Sequence, residues 1–208
     1  MDEFFEAHDD LRTEIAMTAA RLIAEDGYDY PSAKAKAIKQ LAGKSRLPKD
    51  RIPSDQEIQD ELRAYQALYL SDTQPAQLQS LRTVALEFMA QIPEFEPIIY
   101  GAVVNGTASD HSDIHLIVFS DDPKEIDYWL FNHNLQAEPC DDALLAGKTY
   151  PAVAFQWKRR WFKLGVATPT HRRGLLNRNN QDEFPFQTDR NGLQTLFDTY
   201  NPPAGLST

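Results

Sequence analysis

The stretch VVNGTASDHSDIHLIVFSDDP, Val103 to Pro123, decides how the rest of the chain is read. An apolar run leads into the small-residue turn Gly106-Thr107-Ala108, a polar loop follows, and Ser112-Asp113-Ile114-His115 opens a second apolar run. Runs rich in Val, Ile and Phe and bounded by Gly, Asp and Pro read as strands. Side chains alternate along a strand, so Asp113 and His115 share one face while Ile114, Leu116 and Val118 take the other. A turn of small residues offers backbone amides to an anion, and a carboxylate on the adjoining strand face is a ligand for hard cations such as Mg²⁺. The Ser112 hydroxyl stands beside that carboxylate, and Asp110 and His111 lie in the same loop.

Working outward, the C-terminal half alternates strand and helix. Strands are expected at Ile98 to Val104, Ile114 to Phe119, Ala152 to Gln156 and Trp161 to Ala167. A helix opened by Pro123 falls in PKEIDYWLFNHN, and a last one runs near Gly192 to Tyr200. The N-terminal half reads as helices. Leu11, Ile15, Ala19, Leu22 and Ile23 make one face ending at Gly27, and Ala35, Ile38 and Leu41 make a second, over Ser32 to Ala42. KSRLPKDRIP reads as an exposed link, after which Ser54-Asp55-Gln56-Glu57 forms a capping box. That box opens a helix with Ile58, Leu62, Tyr65 and Tyr69 on one side. A fourth helix follows Pro75, with Leu78, Leu81, Ala85, Phe88, Met89 and Ile92, and the short link predicts that these two pack antiparallel. The expected plan is α/β (α+β): a helical region over 1–93 and a small mixed sheet with helices over 94–208.

Composition narrows the function. A formal net charge of -10 argues against a broad nucleic-acid-binding face, which needs many Lys and Arg contacts. The single Cys140 forms no intramolecular disulfide, the start MDEFFEAHDD lacks the basic and apolar regions of a signal peptide, and no apolar run approaches membrane-spanning length. A cytoplasmic protein with no membrane partner is expected. Lys34, Lys36, Lys39, Lys44, Arg46, Lys49 and Arg51 cluster on two short helical segments, where a solvated helix face competes with a helix-turn-helix. Lys158-Arg159-Arg160 between Trp157 and Trp161 reads as a hairpin tip, and Lys158 and Arg160 are candidates to grip phosphate. Arg172 and Arg173 are a second source of positive charge.

The order strand, Gly-Thr turn, short loop, Ser-Asp-Ile-His-Leu strand resembles the nucleotidyltransferase fold of the polymerase-β-like superfamily, which carries a Gly-Ser turn followed by Asp-x-Asp or Asp-x-Glu. From Leu11 to Phe197 the chain is also similar to a group of uncharacterised bacterial proteins sharing NGTAS..SDIHL, some called UDP-N-acetylmuramate–alanine ligases. The ligase name would need a phosphate-binding loop. Gly147-Lys148-Thr149 imitates its end, but Asp142 stands where the first glycine belongs.

The resemblance implies a nucleoside triphosphate and divalent Mg²⁺ or Mn²⁺ bound at Gly106, Thr107, Ser112 and Asp113, and transfer of a nucleoside monophosphate to a hydroxyl acceptor. Two departures mark the site. His115 occupies the second carboxylate position, and WFKLGVATP, the candidate strand for a third, offers Lys163 and Thr168 without Asp or Glu. Asp113 and His115 are then the catalytic and metal-binding pair, one that holds two Mg²⁺ poorly. A nucleotide-binding or regulatory module without catalysis is the alternative, and a nucleic-acid binder the third reading.

Overall fold

The computed structural model describes residues 3–43, 47–176 and 186–200, with eight α-helices and six strands among them. The chain divides into two compact units, Met1–Pro75 and Ala76–Thr208.

The first unit holds three helices. α1 (Glu3–Asp26) packs Ile15, Ala16, Ala19 and Leu22 against Ala33 and Ala37 of α2 (Tyr30–Ala42) and Ile58 of α3 (Asp55–Tyr69). Small alanines at these crossings let the helix axes approach closely. The start of α2 is fixed by Asp29, whose carboxylate accepts from the Ser32 amide. The capping box at α3 is present as expected: the Ser54 hydroxyl accepts from the Glu57 amide, and the Glu57 carboxylate accepts from the Ser54 amide. Arg12 of α1 donates to both Glu57 oxygens at 2.6 and 2.7 Å and, with the serine contacts, holds this carboxyl down at about 2.

α4 (Gln74–Met89) belongs with the sheet. Its Phe88 ring lies 5.3 Å from Phe155, 4.7 Å from Phe162 and 6.0 Å from Trp129. Within the first unit α3 packs on α1, and within the second α4 carries the apolar stripe that covers the sheet.

The sheet has the order β3-β4-β5-β2-β1-β6, with β1 Ile98–Tyr100, β2 Ile114–Phe119, β3 Glu138–Leu145, β4 Lys148–Trp157, β5 Arg160–Ala167 and β6 Gln187–Asp189. All neighbours are antiparallel except β2 and β5, which run parallel. Between them the chain passes through α6 (Lys124–Asn132) and the β3–β4 hairpin. Ile99, Ile114, Leu116, Val118, Phe155, Phe162 and Leu164 form the face packed against α4, α6 and α8 (Arg190–Tyr200). The opposite face carries Ile98, Ile117, Phe119, Ala152 and Ala167, covered by Ala143, Leu145 and Tyr150 of the hairpin and by Leu175 of α7 (Arg172–Leu176).

The expected strand from Ile98 to Val104 ends at Tyr100. Gly101, at φ 80 and ψ -149, turns the chain into α5 (Ala102–Asn105), and Gly106 closes that helix in the left-handed region. A side chain at Gly101 is excluded by that backbone conformation. Val103 and Val104 resemble strand residues but enter the core from the short helix, and buried Arg82 of α4 donates to both of their carbonyls. Gly147-Lys148-Thr149 lies at the β3–β4 turn, where Ala146 and Gly147 both have positive φ, a two-residue hairpin and not a phosphate loop. Among the described residues no helix is long and apolar enough to cross a membrane.

Candidate functional site

Sheet register builds the site. Glu138 of β3 pairs with Ala154 of β4, Ala154 with Lys163 of β5, Lys163 with His115 of β2, His115 with Tyr100 of β1, and Tyr100 with Gln187 of β6. Residues in register point to the same side, so this row crosses the sheet on the face away from α4, α6 and α8. Asp113, two positions before His115, stands at the mouth of β2 on that face.

The electrostatics follow from this placement. His115 is partly shielded between Lys163 and Tyr100, its ring centroid 5.4 Å from that of Tyr100, and a Cβ at Gly101 would lie 3.6 Å from its Nδ1. Burial, reinforced by the Lys163 charge, pushes the imidazole down to about 4, so it is neutral near pH 7. Burial raises the Asp113 carboxyl, while Lys163 pulls the other way. Tyr100 is raised, first by burial. Cys140, one register row further along the face, is also raised chiefly by burial, with Lys163 opposing and Asp141, Asp113 and Asp142 adding to it. One ammonium group thus acts on an acid, an imidazole and a thiol. A neutral thiol is a poor nucleophile, which leaves Cys140 as packing.

The other expected site residues are placed differently. Gly106 is the C-terminal stop of α5, and Thr107 is buried with its hydroxyl donating to Asn105 Oδ1 at 2.7 Å. The glycine turn leaving β1 is Gly101-Ala102, which has no hydroxyl. The Ser112 hydroxyl accepts from the Ser109 amide at 2.9 Å and holds the loop that carries Asp113. Lys158 and Arg159 do form a hairpin tip, both with positive φ. Lys158 leans over Trp157 and pairs with Glu87 of α4 at 2.8 Å, on the helix-covered side. Arg160 donates to the Asp110 carboxylate at 2.7 Å and to its carbonyl, tying hairpin to loop. Neither cation lies in the His115 row. Asp122 accepts from the Lys124 amide at the start of α6, Arg172 faces Glu96 at 3.6 Å, and Lys34 pairs with Asp55. Lys44 and Arg46 lie outside the described residues.

The divalent pair that the resemblance implies needs several hard donors on one face. Asp113 and His115 are two donors, and among the described residues no three His, Cys, Asp or Glu side chains form a metal-holding group. Asp141 and Asp142 are exposed at the β3 bulge and add no third donor. In register with His115 stands an ammonium group. A cation beside the ligands opposes a second cation, so these residues do not fit a two-metal centre.

No family model matches the chain, and no curated protein matches it. Among solved structures it is similar to a cytoplasmic RNA terminal U-transferase, at 20% identity and a TM-score of 0.28, over 60% of this chain and 32% of that one. The chain spans about a third of the length of that structure. The site rests on its own geometry.

Proposed function

We propose that the chain is a nucleotidyltransferase-like protein that binds a nucleotide on the open face of its sheet, with Lys163 supplying the positive charge that a metal pair otherwise brings. The observation that carries this reading is the register of Lys163 beside His115, below Asp113. An ammonium on a strand is a fixed charge for a phosphate oxygen, and a neutral imidazole next to it donates one hydrogen bond without adding charge. Binding and regulation suit this arrangement better than two-metal transfer.

Titration calorimetry with ATP, GTP, CTP and UTP, with and without Mg²⁺ or Mn²⁺, tests it. The expected result is binding of at least one triphosphate with no requirement for either metal, weakened about tenfold or more by Lys163→Met. Asp113→Ala removes a negative charge near the phosphates and leaves affinity unchanged or higher. Binding that needs Mg²⁺ or Mn²⁺ and disappears in Asp113→Ala overturns this reading and favours the second one: transfer of a nucleoside monophosphate to a hydroxyl acceptor. That second reading is supported by Asp113 and an uncharged His115 on one face, because a neutral imidazole is the form that accepts a proton or binds a transition metal.

A further inference from the structure

At the β3–β4 end of the His115 row lies a groove of about 340 Å³, lined by Asn134, Gln136, Glu138, Ala154, Gln156 and Trp161. Its position follows from the register. Ala154 pairs with both Glu138 and Lys163, and Gln156 pairs with Trp161, so the groove opens on the same sheet face as Lys163 and is adjacent to it. The small Ala154 side chain leaves room over the floor. Trp161 is 53% exposed, so much of its indole is open to a ligand in the groove.

The chemistry of the lining is selective. Three carboxamides each donate and accept, one carboxylate accepts, and the indole offers a flat apolar face and an N–H donor. No lysine or arginine lines the groove, and Glu138 repels anions, so a phosphate-bearing group is not the match. A purely apolar ligand would strand four polar side chains. What satisfies this set is a neutral ring with several hydroxyls, because each hydroxyl both donates and accepts as the carboxamides do, while the C–H face of the ring packs on the indole. A nucleobase also stacks on an indole and carries several edge donors and acceptors, so adenosine and uridine are the competitors from which the test separates a sugar.

We propose that this groove is a carbohydrate-binding site in which a neutral sugar ring stacks on Trp161 and its hydroxyls bond Gln136, Gln156, Asn134 and Glu138. Glu138 and Ala154 also belong to the row that holds Lys163 and His115, so the groove adjoins the proposed nucleotide surface, but the sugar reading does not rest on nucleotide binding.

The test is saturation-transfer NMR and calorimetry on the full chain with glucose, galactose, mannose, ribose, N-acetylglucosamine and maltose, with adenosine and uridine alongside. At least one sugar binds in the millimolar range, Trp161→Ala weakens it about tenfold or more, and Trp161→Phe restores most of the affinity. Glu138→Gln, which keeps a hydrogen-bonding side chain, binds better than Glu138→Ala. Circular dichroism identical to that of the parent chain checks that the exposed Trp161 is not needed for folding. No binding by any of the six sugars, sugar binding indifferent to Trp161→Ala, or a nucleoside displacing all sugars from Trp161 each overturns the proposal.

Discussion

His115 is the residue whose environment has the clearest thermodynamic signature. Its protonation lies near 6.5 when unfolded and at about 4 when folded, so between those values the unfolded chain takes up a proton that the folded chain refuses. Its contribution to stability is complete above pH 6.5 and is lost as the pH falls toward 4, by at most about 3 kcal/mol. Urea unfolding of the parent chain and His115→Gln at pH 7 and pH 4.5 measures this directly: the variant should lose less stability on acidification. Equal losses in both proteins would show that the imidazole is not held neutral by the fold. The pairing of Asp113 with His115 on one face was legible from two-residue alternation alone. Lys163 was visible only as a missing carboxylate, since its place beside His115 depends on a parallel pairing that no local pattern announces.

At the level of elements, Gly165 sets how the β3–β4 hairpin closes over the sheet. A Cβ there would come within 2.6 Å of Ile117 Cδ1 and 2.8 Å of Ala143 Cβ, so the hairpin reaches back across the sheet face only because β5 has no side chain at that point. The bulge between Cys140 and Ala143 supplies the bend. Gly165→Ala should destabilise the fold by about 1–3 kcal/mol, seen as a lower urea midpoint with an unchanged slope. A midpoint equal to the parent's would mean that the hairpin has room to move. Helices α1, α2 and α3 were readable from apolar spacing and capping residues, which act locally. The strand through Val104 was misread because β-branched residues carry the same signature wherever they are buried; the Arg82 guanidinium that holds the Val103 and Val104 carbonyls in a helix lies on another element. Strands β3 and β6 are not legible in the sequence, because neither Glu138–Leu145 nor Gln187–Asp189 forms a long apolar or strictly alternating run.

For the whole chain, the division at Pro75 has an energetic counterpart. Each hydrophobic cluster is confined to one unit: α1, α2 and α3 form two, and the two faces of the sheet form the others. Separate cores unfold separately when little couples them, so calorimetric melting should resolve two transitions, and residues 76–208 expressed alone should keep the strand signal in circular dichroism. A single transition together with an unfolded fragment 76–208 would refute the independence of the cores. The sequence placed the change of texture near Pro97, where strands begin, but α4 precedes that point and is committed to the sheet by Phe88.

The parallel pairing of β2 and β5 has a consequence in time. His115 and Lys163 become neighbours only after α6 and an entire hairpin have been made and folded back between them, and contacts so distant along the chain form late and slowly. During synthesis, a chain halted before β5 leaves the ribosome already has Asp113 and His115 but lacks their cation, so the surface proposed to bind a nucleotide arrives only with the completed sheet.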